Sequence, residues 1–563
     1  MKPFFQSSLA LCALFLAVLS ASADRAETSY ATLIALYDDF LTWQDAERAR
    51  RAVPNRDIAG AAATLHPDFG AAAIAQRIDR ISKYQDQLVA IDTTGWARPR
   101  QVDYLAVRSR LDQHEFYLTV SKPWSRDPGF YVDRMLRITF ATLPLAPEPL
   151  SALRTELAAV ALLAQQAKEN LNDVAADYAD LALHNLSNAD GVGHGFAYRA
   201  VPPPGVLGWY DDLLARARET QSELVPNVSA ARDAVQSFYD WLSDNRPAMT
   251  GKAGVGEAYF NWYLKHVKLM PYDTDQIVTL GLRELDRLWS LYALEQHRNR
   301  DLPTLKMASN AADYAERIAR ADTTIRAFLA DQDIITIPEY VGTLATNVPW
   351  IERKNGPNFW EQVQYRDPTP DHLHAVIPGH RFDGLLERHN DHPIRGRLTS
   401  GARAEGWAVY LEEAMLHAGL DVAPRVRELI YVFGIFRAAR VPADVWLQLN
   451  TRSVSDVVQW WMERTPYLDE DVARVDAEIY LRRPPGYGLG YTVGMLQMQT
   501  LLADLRRQRG DDFVLQEFHD QFMATGRLPI SLIRWEMTGL RDEIDALGPR
   551  QRLQQVKAFF ETP

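Results

Sequence analysis

The sequence holds one cysteine among 563 residues, and that one, Cys12, lies within the first dozen. A chain processed beyond that point has no thiol. Disulfides, thiolate metal ligands and a cysteine nucleophile are excluded together, and any metal must be held by histidine and carboxylate. Long apolar runs are also lacking: after LALCALFLAVL (residues 9–19), no stretch reaches the roughly 20 uncharged residues that span a bilayer. An excess of positive charge is absent too. Lys and Arg total 61 against 73 Asp and Glu, a net charge of -12 with the two signs interspersed. That balance argues against nucleic acid or an anionic membrane as the main partner and favours a soluble protein. There is no G-x-S-x-G elbow and no phosphate-cradling G-x-x-x-x-G-K-[ST] loop. GYGLGYTVG (486–494) lacks the strand-then-helix context of a dinucleotide fingerprint. Acid groups such as Asp211–Asp212, Asp301 and Glu412–Glu413 read as solvated helix faces rather than a glycosidase pair, and most of the 14 tryptophans fall at helical spacing and read as core.

What is present begins with a short positive start, the apolar run, and Ala21-Ser22-Ala23 ahead of Asp24-Arg25. This predicts a removable signal peptide over 1–23 and export to the periplasm or beyond the cell, with no membrane span left after processing. Cys12 lies inside the apolar run behind Leu11 and does not read as a lipidation site. Residues 24–563, in a composition 47% hydrophobic, can bury a large core as a single domain. Apolar residues recur at three- and four-residue intervals over 30–51, 101–120, 149–171 and 275–300, predicting long amphipathic helices. Alternating patterns are scarce. TIPEYVGTL (336–344) and FNWYLKHV (260–267) are short strand candidates, the second equally compatible with a helix. The expected fold is therefore mostly α, a large multi-helix domain, in one body or two lobes around a central cleft, with a few short strands. Pro- and Gly-rich breaks fall at 199–208, 249–258, 349–370 and 482–494, and the third runs directly into a histidine cluster.

Five of the 13 histidines, His372, His374, His380, His389 and His392, lie within 21 residues. Others, such as His66, His184, His266 and His417, read as surface or hydrogen-bonded structural groups. Zinc on a helical scaffold takes imidazoles from one element and a carboxylate from a neighbouring helix, leaving a position for water whose pKa falls toward ~7. A nearby carboxylate then takes the proton. HAVIPGH (374–380) places its outer histidines six apart, which a regular helix would splay by about 120°; Pro378-Gly379 must interrupt that helix and allows His380 to return beside His374. EGWAVYLEE (405–413) reads as a helix with Glu405 and Glu412 on one face.

These two stretches resemble the paired signature of the bacterial "domain of unknown function 885" family, large helical proteins regarded as zinc-metallopeptidase-like, whose pattern runs H-E-x-x-P-G-H and then E-G-W-A-x-Y-x-E. His374, Pro378, Gly379 and His380 match the first motif; Glu405, Gly406, Trp407, Ala408, Tyr410 and Glu412 match the second. PPGYGLGYTVG (484–494), FHDQFMATGRLPISLI (518–533) and GEAYFNWYL (256–264) extend the similarity over most of the chain. The resemblance implies His374, His380 and Glu405 as zinc ligands, Tyr491 as a hydrogen-bond donor to an oxyanion, and a peptide or small amide as substrate. Two departures stand out. The family's general-base glutamate is Ala375 here, and Tyr487 and Gly490 replace its Gln and Ser. Loss of a general base typically costs ~10²–10⁴ in rate. A substitute is expected from His372 or Asp371 upstream, or from Glu412 or Glu413 on the second helix. Otherwise the metal serves as a Lewis acid in another reaction, or the chain is a pseudoenzyme that binds peptides or a protein partner in a retained cleft. The sequence leaves the oligomeric state open.

Overall fold

Segments with an apolar stripe every third or fourth residue can hide it only by packing helix on helix. The computed structural model, which describes residues 4–47, 62, 65–188, 199–346 and 348–560, does so throughout. The expected helices are present as Pro147–Asn170 and Thr274–Arg298, and as Arg98–Phe116 continued by a π turn over Tyr117–Ser121. The segment expected from residue 30 onward belongs to one helix, Phe4–Ala46, which also runs through residues 4–23 of the expected signal segment; residues 48–51 lie outside the described residues. Among the described residues, no helix is long and apolar enough to cross a membrane.

The expected short strands are corrected: among the described residues there is no strand, only an isolated parallel bridge between Ala175 and Gly251. FNWYLKHV lies in helix Glu257–His266 and its C-cap, with Phe260, Trp262, Tyr263 and Leu264 turned into the core, so period 3.6 prevails over its aromatic content. TIPEYVGTL forms a short 3-10 turn, Glu339–Val341, between Pro338 and a positive-φ Gly342. Pro338 removes a ladder donor, and a lone segment has no neighbour to complete a sheet.

The largest apolar core joins Leu33, Tyr37 and Phe40 near the N-terminus to Trp407, Met498 and Ile533. A second gathers around helix Val426–Gln448 with Phe436, Trp461 and Tyr480. Between them, helix Gly401–His417 lies against helix Leu489–Arg509 at unusually short range. A Cβ on Gly406 would stand 2.5 Å from the carbonyl carbon of Gly494, and one on Gly494 would stand 2.3 Å from the carbonyl oxygen of Ala402. Only glycine fits at either point, and the neighbour of Gly406 is Glu405. The crossing thus sets how far that carboxylate reaches. Gly406→Ala is expected to cost about 1–3 kcal/mol by overpacking, read from denaturant unfolding. Gly401→Ala, with no atom within 4 Å of its Cβ, should change stability by no more than about 0.5 kcal/mol. Equal effects at the two positions would refute the close crossing.

Candidate metal centre

The chain enters the site through Thr369–Asp371, which widens into a π turn over His372–Val376. A cis Ile377–Pro378 peptide and Gly379 follow, and a new helix, His380–Glu387, begins at the second histidine. A Cβ on Gly379 would lie 1.8 Å from the carbonyl oxygen of His374. The chain therefore doubles back onto its own preceding turn, and only glycine permits the approach. The result sets the two rings nearly perpendicular with centroids 4.7 Å apart, and their Nε2 atoms 3.2 Å apart. Glu405 reaches in from helix 401–417, its Oε2 3.1 Å from His380 Nε2 and 3.7 Å from His374 Nε2. One atom from each of the three side chains lies within 4.8 Å of the others.

A second carboxylate of the same helix face meets the other end of His374. Glu405 and Glu412 are seven residues, two helical turns, apart, and the imidazole lies between them. Nδ1 of His374 is 2.8 Å from Glu412 Oε1, a close contact whose angle falls short of a well-aligned hydrogen bond. With Glu412 beside Nδ1, the Nε2 edge of the ring faces His380 and Glu405. Glu412 is itself held by Arg437, which is 1% exposed and lies 4.9 Å over the Phe433 ring. Burial and Arg437 both press His374 toward neutrality, yet Glu405 and Glu412 hold its pKa above the ordinary value. Burial likewise opposes charge on Glu405, but His374 and His380 keep its carboxyl well below the usual range. Trp407, fully buried, donates its indole N–H to the Pro378 carbonyl at 2.9 Å. The histidine loop is thereby tied to the glutamate helix, by a large apolar ring worth about 1.5–3 kcal/mol in burial.

The glycine-rich turn closes the remaining side. The Tyr487 hydroxyl donates to Glu405 Oε1 at 3.1 Å, and the Tyr491 hydroxyl lies 3.4 Å behind it. The Tyr491 ring runs parallel to His374 at 6.4 Å and carries the Arg440 guanidinium 4.2 Å over its face. The turn hangs on Asp444, which is fully buried and accepts the Leu489 N–H at 3.0 Å. Burial pushes the Asp444 carboxyl up to about 7, against the pull of that N–H and of Lys268.

The other sequence candidates are placed elsewhere. His372 turns outward from the ligands and contacts Asp322 through Nε2 at 2.9 Å. Glu413 pairs with Arg287 on helix 274–298. Glu412 stands at Nδ1 of His374, the ring nitrogen opposite the one that faces His380 and Glu405. Asp371 is buried in the short helix ahead of the π turn. His389 stacks on Tyr340 at 4.1 Å, and His392 Nδ1 accepts the backbone N–H of Arg395 at 3.1 Å. Ala375, 6% exposed, packs in the apolar core. Sequence reasoning missed Arg437 and Asp444. Both, like Arg440 between them, are buried charges in the apolar stretch of helix 426–448, and that mismatch was the available signal. It also missed the role of His519, which burial holds neutral with a pKa of about 4, between the Ile334 carbonyl at 2.7 Å and the Tyr410 hydroxyl at 3.0 Å.

Two imidazole nitrogens and a carboxylate oxygen gathered about one point, with a second carboxylate behind one ring, are the donor set of a three-ligand zinc site with a position left for a fourth. The residues present therefore fit a zinc ion. A family model described as "Bacterial protein of unknown function (DUF885)" matches residues 56–353 and 372–537. No curated protein matches the chain. Among solved structures, a candidate lipoprotein of unknown function from Shewanella oneidensis superposes with a TM-score of 0.67 at 15% identity, over 90% of this chain and 99% of that one. A candidate lipoprotein from Colwellia psychrerythraea does so with a TM-score of 0.64 at 16% identity, over 93% and 99%. At these identities the likeness is one of fold.

Asp444 yields a pH test of the turn that carries Tyr487 and Tyr491. Its folded pKa of about 7 lies above the ordinary 3.8, so the folded state holds the proton more tightly. Its contribution to stability is complete below about pH 4 and is lost as pH rises through about 7. Asp444→Asn, which keeps an acceptor for Leu489 N–H, should gain on the natural protein between pH 4 and pH 8 in denaturant midpoints. A difference that stays constant across that range would count against the assignment.

Proposed function

The chain belongs to the DUF885 family of bacterial proteins of unknown function, and from that premise and the site geometry we propose that it is an exported zinc-dependent hydrolase of the metallopeptidase type, acting on peptides or related amides. The observation that carries the reading is the convergence of His374, His380 and Glu405, with the Glu412 carboxylate 2.8 Å from the far nitrogen of His374. Export rests on the reading of residues 1–23. His374, His380 and Glu405 would hold the zinc, which when bound would supply Lewis acidity toward an amide carbonyl and lower the pKa of water. The chain's own residues do the rest. His374 and His380 present Nε2 to a common point. Glu405 divides its oxygens between the histidines and Tyr487, so Tyr487 holds the carboxylate in place. Tyr491, in the first turn of helix 489–509, donates to the Tyr487 hydroxyl and can donate to a developing oxyanion once substrate displaces that contact. His380, the most open of the three with 32% of its side chain exposed, marks the side from which substrate enters.

A specific observation favours a second reading, a peptide-binding pseudoenzyme. Ala375 stands where a proton acceptor is needed, and His372, Glu412 and Glu413 are each committed to other partners.

The purified protein should contain close to one zinc per chain, and both His380→Ala and Glu405→Gln should lose most of it. A chain without zinc after metal supplementation would overturn both the centre and the hydrolase. Ala375→Glu, assayed against a peptide library with zinc content as the control for an intact site, should raise hydrolysis by ~10²–10⁴. If the natural protein cleaves and the zinc-loaded variant is no faster, the missing base is not what limits the reaction. If neither cleaves, the pseudoenzyme reading stands.

A further inference from the structure

A cavity of about 450 Å³ opens between helix 98–116, the π turn that follows it, helix Gly129–Leu136 and the segment 481–485. None of the three candidate ligands lines it. Its volume is within the usual range for small-molecule sites, and its wall is unusual in charge. Six arginines, Arg77, Arg110, Arg126, Arg134, Arg482 and Arg483, face two carboxylates, Glu47 and Asp127. Three of the arginines are neutralised: Arg77 by Glu47, Arg482 by Asp127 and Glu478, and Arg126 by Asp173 at 3.5 Å.

Arg110, Arg134 and Arg483 have no carboxylate partner among the described residues. Arg110 donates to the amide oxygens of Gln113 and Gln44 at 2.5 and 3.2 Å. Arg134 donates to the Phe130 carbonyl and lies with its guanidinium 3.5 Å over the Phe130 ring. Arg483 covers the Tyr487 ring at 4.6 Å. Burial lowers the pKa of Arg134, and the neighbouring His114 is brought down to about 4 by burial and by Arg110 and Arg77. The cavity is thus held at positive potential with cationic hydrogen-bond donors left over. Its apolar wall comes from Phe69, Phe116, Tyr117 and Tyr263.

From these groups we propose that the cavity is a binding site for a monocarboxylate carried on an apolar or aromatic body. Planar guanidinium groups pair with a carboxylate in two-point geometry, and the aromatic rings receive the body. The two carboxylates on the wall disfavour a multiply charged phosphate. The same chemistry is offered by a free aryl or acyl acid and by the C-terminus of a peptide ending in an aromatic residue. The site stands independently of the metal centre, although both share the 481–487 segment.

The test is calorimetric titration of the whole chain, stripped of metal by a chelator so that the centre plays no part, with 3-phenylpropanoate, its amide, the dipeptide Gly-Phe and Gly-Phe amide. At least one carboxylate should bind saturably and at least tenfold more tightly than its amide. Tighter binding of phenylpropanoate assigns the site to a free acid, and tighter binding of Gly-Phe to a peptide terminus. Arg134→Met should weaken that binding at least tenfold while leaving thermal stability unchanged or higher, because the cation it removes lacks a counter-charge. Should that variant fail to fold, Arg110→Gln carries the test with the same expected loss. Absence of saturable binding, equal binding of acid and amide, or carboxylate binding unchanged in the folded variant would each overturn the proposal.

Discussion

One imidazole held from both ends organises this molecule. His374 has a carboxylate at each ring nitrogen, and both come from a single helix face two turns long. That arrangement demands a particular separation between the histidine loop and helix 401–417. The Trp407–Pro378 bond sets it from one side, and the contact between Gly406 and Gly494 limits it from the other. Side chains at a metal site are only as well placed as the backbones that carry them. Here the backbones are held by one buried indole on one side and by a glycine contact that leaves no slack on the other.

The fold was legible wherever one period dominated. The 275–300 pattern is helix Thr274–Arg298, and 149–171 is Pro147–Asn170. The strand candidates failed because aromatic and β-branched residues favour a half-buried sheet only when a sheet exists, and among the described residues there is no strand to pair with. At the site, Pro378-Gly379 made the return of His380 beside His374 possible, but the grouping with Glu405 was expected only from the resemblance of the two motifs to the family pattern; the structure brings the three side chains together. The separation of His372 from His374 was not legible. Two residues apart in sequence, they face different helices, and only the π turn decides which one looks inward. Arg437 could be noticed as a charge in an apolar helix, but its role could not be read. Its importance comes from Glu412, 25 residues away, and nothing in the spacing of an arginine announces its partner.

The departures from the family pattern share a place. Ala375 and Tyr487 both adjoin the candidate ligands, one offering no acceptor and the other a hydroxyl that bonds Glu405. Ala375 packs in the apolar core, and behind His374 stands the buried Arg437–Glu412 pair, in which removal of either partner would leave an uncompensated buried charge.

The same pair bears on how the site forms. Arg437 pairs with Glu412 behind His374, and Trp407 and the glycine crossing secure the loop. The grouping of His374, His380 and Glu405 is therefore assembled by contacts that join residues 374 to 494, and it forms together with the packing of helices 401–417 and 489–509 rather than as a separate local event. Loosening any one of these holds reaches all three side chains at once.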